Sequence, residues 1–433
     1  MTTTAPCRAS LHDAAVELTR QLVRIDSTSP SLSRTGEAAG ESGIAAFLVE
    51  WLTTRGFEII PLEPSDPRRP SVLAVHRGRT HPPATATTTA DAQAKELGLG
   101  RPRSILFNGH IDTVSVSNYA TDPFSGELRD GRVYGRGAAD MKAGLACALV
   151  AAASFVSHST SCPLRGDVWI AAVADEEDAS RGSYDILRYF EQQHDEDQAP
   201  PLRRLPIDGA VFPEPTDEQV ITMHRGFVWA TVCVHGRAAH GSLWEQGRDA
   251  VAEMGAFLCA FRAYAAALLD DPERRHPILG RPSAHAGTIR GGDEVSTYPS
   301  ECTVVLERRT LPGEDDTTFR TELLGLLDSL PPHREGFSWS LDMGTVRPPL
   351  VEHAQRDFQD AVMEASSKAT GRPAAKTGGQ FWTDAALFSQ AGVPSVVVGP
   401  HGQGIHAHDE WVEVESIKTM VDVYSELIQS FCA

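Results

Sequence analysis

The chain is short of cysteine and of positive charge, and it has no long uninterrupted apolar run. Its 433 residues hold only seven cysteines, Cys7, Cys147, Cys162, Cys233, Cys259, Cys302 and Cys432, an odd number with no C-x-x-C pair. That argues against a disulfide framework and makes a reduced, cytoplasmic chain the expectation. Lysine and arginine total 39 against 58 aspartates and glutamates, a formal charge of −19. An acidic surface repels phosphate backbones, which excludes nucleic acid as the expected partner. No continuous apolar stretch nears the ~18 residues of a membrane span, so no membrane association is expected. The opening "MTTTAPCRASLHDAAVELTR" has no apolar core of a secretory signal.

What is present suits a globular protein of two domains. The length exceeds one ordinary hydrophobic core. Apolar periodicity predicts helices over 11–25, 41–55, 137–155 and 247–270. Residues 78–103, "GRTHPPATATTTADAQAKELGLGRPR", are poor in core formers and read as a mobile surface insertion. Four apolar β-type runs, 104–110, 167–177, 208–215 and 394–400, are separated in part by helical stretches. This pattern predicts an α/β fold, a mostly parallel sheet flanked by helices. Residues 223–340 instead resemble antiparallel strands around one helix and read as an inserted α+β domain. The expected division is 1–222 and 341–433 for the first domain, with 223–340 inserted.

Each of the four β-type runs ends in, or is soon followed by, His, Asp or Glu. In open α/β sheets ligands bind beyond the carboxyl ends of the strands. "GHIDTV" offers His110 and Asp112, which share a strand face at i and i+2; taken alone, His110 reads more readily as a polar strand cap than as a ligand. Asp140 in "GRGAADMKAG" reads as a helix cap or a ligand. "ADEED" places Asp175, Glu176, Glu177 and Asp178 after a buried strand, where like charges repel unless a cation lies among them. Glu214 is held between Pro213 and Pro215, and His406 and His408 follow the last β-run. Two histidines with three or four carboxylates suit zinc or a similar divalent ion. Five ligands exceed the need of one catalytic zinc, and two ions sharing a carboxylate fit the count better.

Together the motifs "GHIDTV", "GRGAADMKAG", "DEE", "PEPT", "VHGRAAHGS", "ERRTLPGE" and "HAHDEWV", in this order across about residues 11–430, resemble the M20 metallopeptidase family, which includes acetylornithine deacetylase, succinyl-diaminopimelate desuccinylase, carboxypeptidase G2 and the aminoacylases. The resemblance implies that His110 and Glu214 bind one metal, that Glu177 and His406 bind the other, and that Asp140 bridges them. It implies that Asp112 orients His110 and that Glu176 is the general base. It further implies that the inserted domain is a lid and dimerisation domain, that His240 stabilises an oxyanion, often from the partner subunit, and that Arg309 holds a substrate carboxylate. Ser296 stands where many members have asparagine, Glu307 replaces an aspartate of the arginine motif, and Gly378 and Gly379 resemble a pocket segment.

The expected activity is that of a two-metal amidohydrolase, with zinc as the leading ion and cobalt or manganese as alternatives. Its expected substrate is a small N-acylated amino acid or related N-acyl amine. A dipeptidase or carboxypeptidase using the same site is the close rival, and a metal-free binding protein on the same fold the distant one. A homodimer is expected.

Overall fold

The computed structural model describes residues 8–33, 38–79, 101–156, 164–192, 205–330 and 338–433. Most of the expected insertion at 78–103, residues 80–100, lies outside the described residues. The chain divides into two compact units, one of 1–222, 352–377 and 383–433, the other of 223–351 and 378–382.

The first unit is built on an eight-stranded sheet. Its strands in chain order are β1 (Glu58–Ile60), β2 (Val72–His76), β3 (Ile105–His110), β6 (Val168–Val173), β7 (Gly209–Phe212), β8 (Val220–His224), β13 (Lys376–Gly379) and β14 (Ser395–Val397), and their spatial order is β1-β2-β6-β3-β7-β14-β8-β13. Two short strands, β4 (Glu127–Arg129) and β5 (Arg132–Tyr134), belong to a smaller four-stranded sheet with β15 (Gly402–Gln403) and β16 (Trp411–Glu413). The large sheet is mixed. Its centre, β6-β3-β7-β14, is parallel, while β1-β2, β2-β6 and β14-β8 are antiparallel. Strands β3, β6 and β7 are buried at every position, which is why they read as continuous apolar runs.

The alanine-rich helix Ala143–Val156 is buried along residues 143–153 and packs against the helices Arg8–Val23 and Val414–Cys432. Small side chains let it approach closely. A Cβ at Gly144 would lie 1.8 Å from the carbonyl oxygen of Pro213, so only glycine fits where this helix meets the end of β7. The helical reading of 137–155 fails over its first turn. Asp140 and Met141 have non-helical backbone and the regular helix starts at Ala143. Gly137, at φ 81°, turns the chain into this irregular segment.

The second unit is an antiparallel sheet of β9 (Gly226–His235), β10 (Ser283–Gly291), β11 (Glu301–Thr310) and β12 (Ser338–Arg347), in the order β10-β11-β9-β12. Burial alternates along β9 and β11. One face, with Val228, Ala230, Val232, Val234, Val304 and Leu306, packs on the helices Ala250–Asp270 and Asp316–Ser329 through Met254, Phe257, Phe261, Phe319 and Leu323. This unit runs past the expected boundary at 340 to Val351, because β12 pairs along β9 from Ser338 opposite His235 to Arg347 opposite Phe227 and cannot leave the sheet midway. Among the described residues two helices, Ala138–Val156 and Ala250–Asp270, are long and apolar enough by composition to match a membrane span. The first is core, and the second turns Met254, Phe257, Phe261 and Leu268 into the second unit's interior.

Candidate metal centre

Parallel strands deliver their carboxyl ends to one edge of the sheet, and β3 and β6 run in register with His110 opposite Val173. His110 closes β3, Glu176 and Glu177 follow β6, Glu214 follows β7, and His406 lies in the loop beyond β14. The structure brings these residues together around Asp140. His110 Nε2 lies 3.0 Å from Asp140 Oδ1 and 3.9 Å from Glu214 Oε1. His406 Nε2 lies 3.4 Å from Asp140 Oδ2 and 3.2 Å from Glu177. Each oxygen of Asp140 therefore faces a different imidazole, with a further carboxylate beside each ring. One oxygen of Asp140, His110 and Glu177 have donor atoms within 4.8 Å of one another. His408 turns its Nδ1 to the Asn118 carbonyl, 2.7 Å away.

The tautomer of His110 follows from its partners. Its Nδ1 sits 2.9 Å from the main-chain carbonyl of Asp112, which only accepts, so Nδ1 carries the proton. In the neutral ring that leaves the Nε2 lone pair facing Asp140 and Glu214, the form in which imidazole ligates metal. The expected Asp112–His110 contact is thus made by the Asp112 carbonyl, with the carboxylate oxygen 3.6 Å from Nδ1. That carboxylate accepts the amides of Glu176 at 3.2 Å and Glu177 at 3.3 Å and so holds the acidic turn.

The electrostatics describe a place made for positive charge. Burial pushes Glu176 well above the ordinary carboxylate range, with Asp384 adding to the effect and His110 opposing it. Burial likewise raises Glu214, opposed by His110 and reinforced by Asp140 and Glu177. Burial also pushes Asp112 up to about 7. Asp140 is lowered despite its burial, by hydrogen bonds to His110 and His406. His406 is raised to about 10 by Asp140 and Glu177. Carboxylates crowded in low dielectric compete for protons, and a divalent cation among them removes that competition. The donor set of two imidazoles and three carboxylates fits zinc, cobalt or manganese.

Several supporting residues escaped the sequence reading. Glu410 is fully buried, and its two oxygens accept from Arg136 Nη1 at 2.7 Å and the amides of Gly137, Ala139 and Asp140 at 2.9–3.0 Å. It shapes the irregular segment that presents Asp140. Buried Arg69 ties Asp175 to Glu41 and lies 3.8 Å from Asp112, so one acid of the "DEED" run is structural. Glu410 lies within "HAHDEWV", but nothing in "DPRRPSVL" marks Arg69.

The remaining predicted residues, His240, Ser296 and Arg309, belong to the second unit, as do Gly378 and Gly379, the last two residues of β13, where the chain passes from the first unit to the second. Its fold brings two of them together: Gly241 donates its amide to the Ser296 carbonyl at 2.7 Å, and His240 bridges to Thr297. Arg309 Nε donates to Glu307 at 2.7 Å and its guanidinium lies over the Phe227 ring. A Cβ at Gly378 would meet Leu279 and Ile278.

Known proteins share this architecture. A tripeptidase of Staphylococcus aureus superposes with a TM-score of 0.70 at 18% identity, over 97% of this chain and 98% of that one. Human carnosine dipeptidase 1 does so at 0.67 and 16%, over 98% and 100%. A Bacillus subtilis protein described as a dinuclear metal-binding peptidase of the M20 family does so at 0.67 and 14%, over 98% and 99%. At these identities the likeness establishes the fold. The model of the peptidase family M20/M25/M40 matches residues 106–430, three quarters of the chain and every strand end that carries a metal-type side chain, and the protein belongs to that family.

Proposed function

We propose that this peptidase-family protein is a two-metal amidohydrolase that releases an amino acid from a small N-acylated amino acid, a chemical class that includes dipeptides. The arrangement of Asp140, with an imidazole at each oxygen and a second carboxylate beside each ring, carries the reading. His110, Glu214 and Asp140 would hold one ion; His406, Glu177 and Asp140 would hold the other. Bound there, the ions supply Lewis acidity toward the scissile carbonyl and lower the pKa of an attacking water.

Glu176 is the general base. Its raised proton affinity suits a group that accepts a proton from water and returns it to the departing amine nitrogen. Asp112 holds the Glu176 and Glu177 amides, so it fixes the distance between base and ligand. In this reading His240 stabilises the oxyanion and Arg309 binds the substrate carboxylate, with Ser296, Gly378 and Gly379 at the substrate. Neighbours described as a tripeptidase and a dipeptidase favour short peptides within the class.

The decisive experiment replaces Glu176 by Gln and measures turnover and bound metal together. The expected result is near-complete loss of turnover with metal retained. Near-normal turnover would refute the role, and joint loss of metal would exchange the roles of Glu176 and Glu177. Assaying N-acetyl amino acids against dipeptides, with zinc, manganese and cobalt, separates deacylase from dipeptidase.

A further inference from the structure

A second cluster of metal-type donors lies in the other unit, on the sheet face turned away from its helices. Along β9 the core-facing positions are Val228, Ala230, Val232 and Val234, so Cys233 and His235 project from the opposite face. Glu301 of β11 pairs directly with His235, and directly opposed residues share a face. Cys233 Sγ lies 3.7 Å from His235 Nδ1, and His235 Nδ1 lies 3.8 Å from Glu301 Oε2. The three donor atoms all fall within 4.8 Å of one another. A tetrahedral ion with a thiolate at ~2.3 Å and an imidazole at ~2.0–2.1 Å holds sulfur and nitrogen about 3.6 Å apart. The observed spacing is already close to that.

The surroundings prepare each donor. His235 Nε2 sits 3.1 Å from Ser340 Oγ on β12, opposite Cys233. If Nε2 keeps the proton and donates it to that hydroxyl, the Nδ1 lone pair points at the other two donors, as in protein metal sites where the far ring nitrogen is tied. Thr303 of β11, which pairs with Cys233, donates its hydroxyl to Sγ at 3.4 Å and so fixes the sulfur's position. Cys233 is a free thiol and only partly exposed, whereas His235 and Glu301 are open to solvent. Three strands thus converge on one point.

We infer that Cys233, His235 and Glu301 form a further divalent-metal site of the zinc class, closed by water, that clamps β9 to β11 at the end of the second unit's sheet. A thiolate ligand selects zinc or cobalt over magnesium or calcium. Binding displaces the Cys233 thiol proton, and the ion takes the thiolate, the neutral imidazole and the carboxylate with no change of oxidation state. The inference does not depend on the catalytic reading, since none of the residues is shared with the first centre.

Cobalt distinguishes the two centres, because the first has no sulfur ligand. Chelator-stripped, reduced protein is titrated with Co(II) while the near-ultraviolet thiolate-to-cobalt charge-transfer band is followed. The expected result is a saturable band in the full chain that zinc abolishes by displacement. The band should vanish in Cys233→Ser, while peptide or amide hydrolysis stays within about twofold of the parent. Glu301→Gln, at an exposed position, should weaken cobalt binding to the band-forming site at least about tenfold, the lower end of what losing even a residue that supports a ligand costs. This variant keeps the test intact if Cys233→Ser folds poorly. Absence of the band in reduced parent protein, or its persistence in Cys233→Ser, would overturn the assignment, as would unchanged affinity in Glu301→Gln.

Discussion

Glu410 offers the sharpest test of how the fold holds Asp140. Its Oε1 accepts the amides of Ala139 and Asp140, and its Oε2 accepts Arg136 Nη1 and the amide of Gly137. Every partner is a donor, and both side chains of the ion pair are about 1% exposed. Glu410→Gln keeps the volume but exchanges one acceptor oxygen for a donor NH2. Whichever way the amide turns, one pair of donors faces it and is orphaned. Each orphaned buried donor costs about 1–3 kcal/mol. Removing one partner of a buried ion pair costs about 3–5 kcal/mol, since the other charge stays buried. These contributions overlap, so the expected loss is about 3–5 kcal/mol, a large share of the ~5–15 kcal/mol that holds a typical domain.

The orientation that keeps the oxygen on Arg136 turns the NH2 toward the Ala139 and Asp140 amides and releases them, so metal affinity should fall with stability. Chemical denaturation of the metal-loaded and chelated protein, with metal content by mass spectrometry, measures both. Adding Arg136→Met to Glu410→Gln removes the stranded cation and should recover part of the stability. With the cation gone the amide oxygen can turn back to the Ala139 and Asp140 amides, so metal affinity should recover in part as well. A Glu410→Gln protein within about 0.5 kcal/mol of the parent, the size of an ordinary surface change, and with a full complement of metal, would refute the reasoning.

Other outcomes follow from the same geometry. Asp112→Asn leaves one acceptor for two amides, and its NH2 meets the other; turnover should fall at least tenfold with both metals bound, as metal analysis beside kinetics would show, and unchanged kcat would count against the role of Asp112 in setting the acidic turn. Burial raises Glu214, and Asp140 raises His110 against its own burial, so ions displace protons on binding. Metal affinity should therefore rise with pH and binding should release protons, measurable by calorimetry in buffers of different ionisation enthalpy; a pH-independent affinity would contradict this. Arg69→Lys loses the fork that joins Glu41 to Asp175 and should destabilise by on the order of 3 kcal/mol in denaturant titration, whereas a near-neutral result would show the network to be dispensable.

Much of the molecule was legible before any coordinates. Buried parallel strands have to be apolar on both faces, so "SILFNGH", "DVWIAAV" and "DGAVF" announced themselves by composition. The polar residue that ends such a run has to lie at the sheet's carboxyl edge, which placed His110, Glu176, Glu177 and Glu214 in one region. The second unit was visible as a change of period, because β9 and β11 bury only alternate residues.

Other features were decided by tertiary structure alone. The irregular backbone at Asp140 replaces the helical turn that local spacing favours, because distant Glu410 supplies acceptors to amides a helix would leave to its own turns. The job of the Asp112 carboxylate depends on which amides β6 brings beside it, and Arg69 reaches Glu41 and Asp175 only through folding. The pairing of Glu301 with His235 depends on strand register, which no local spacing encodes. Local sequence determined which residues are apolar, which carry metal-type donor atoms and where strands end. Only long-range packing decided which carboxylate meets which imidazole, since those contacts join segments far apart in the chain.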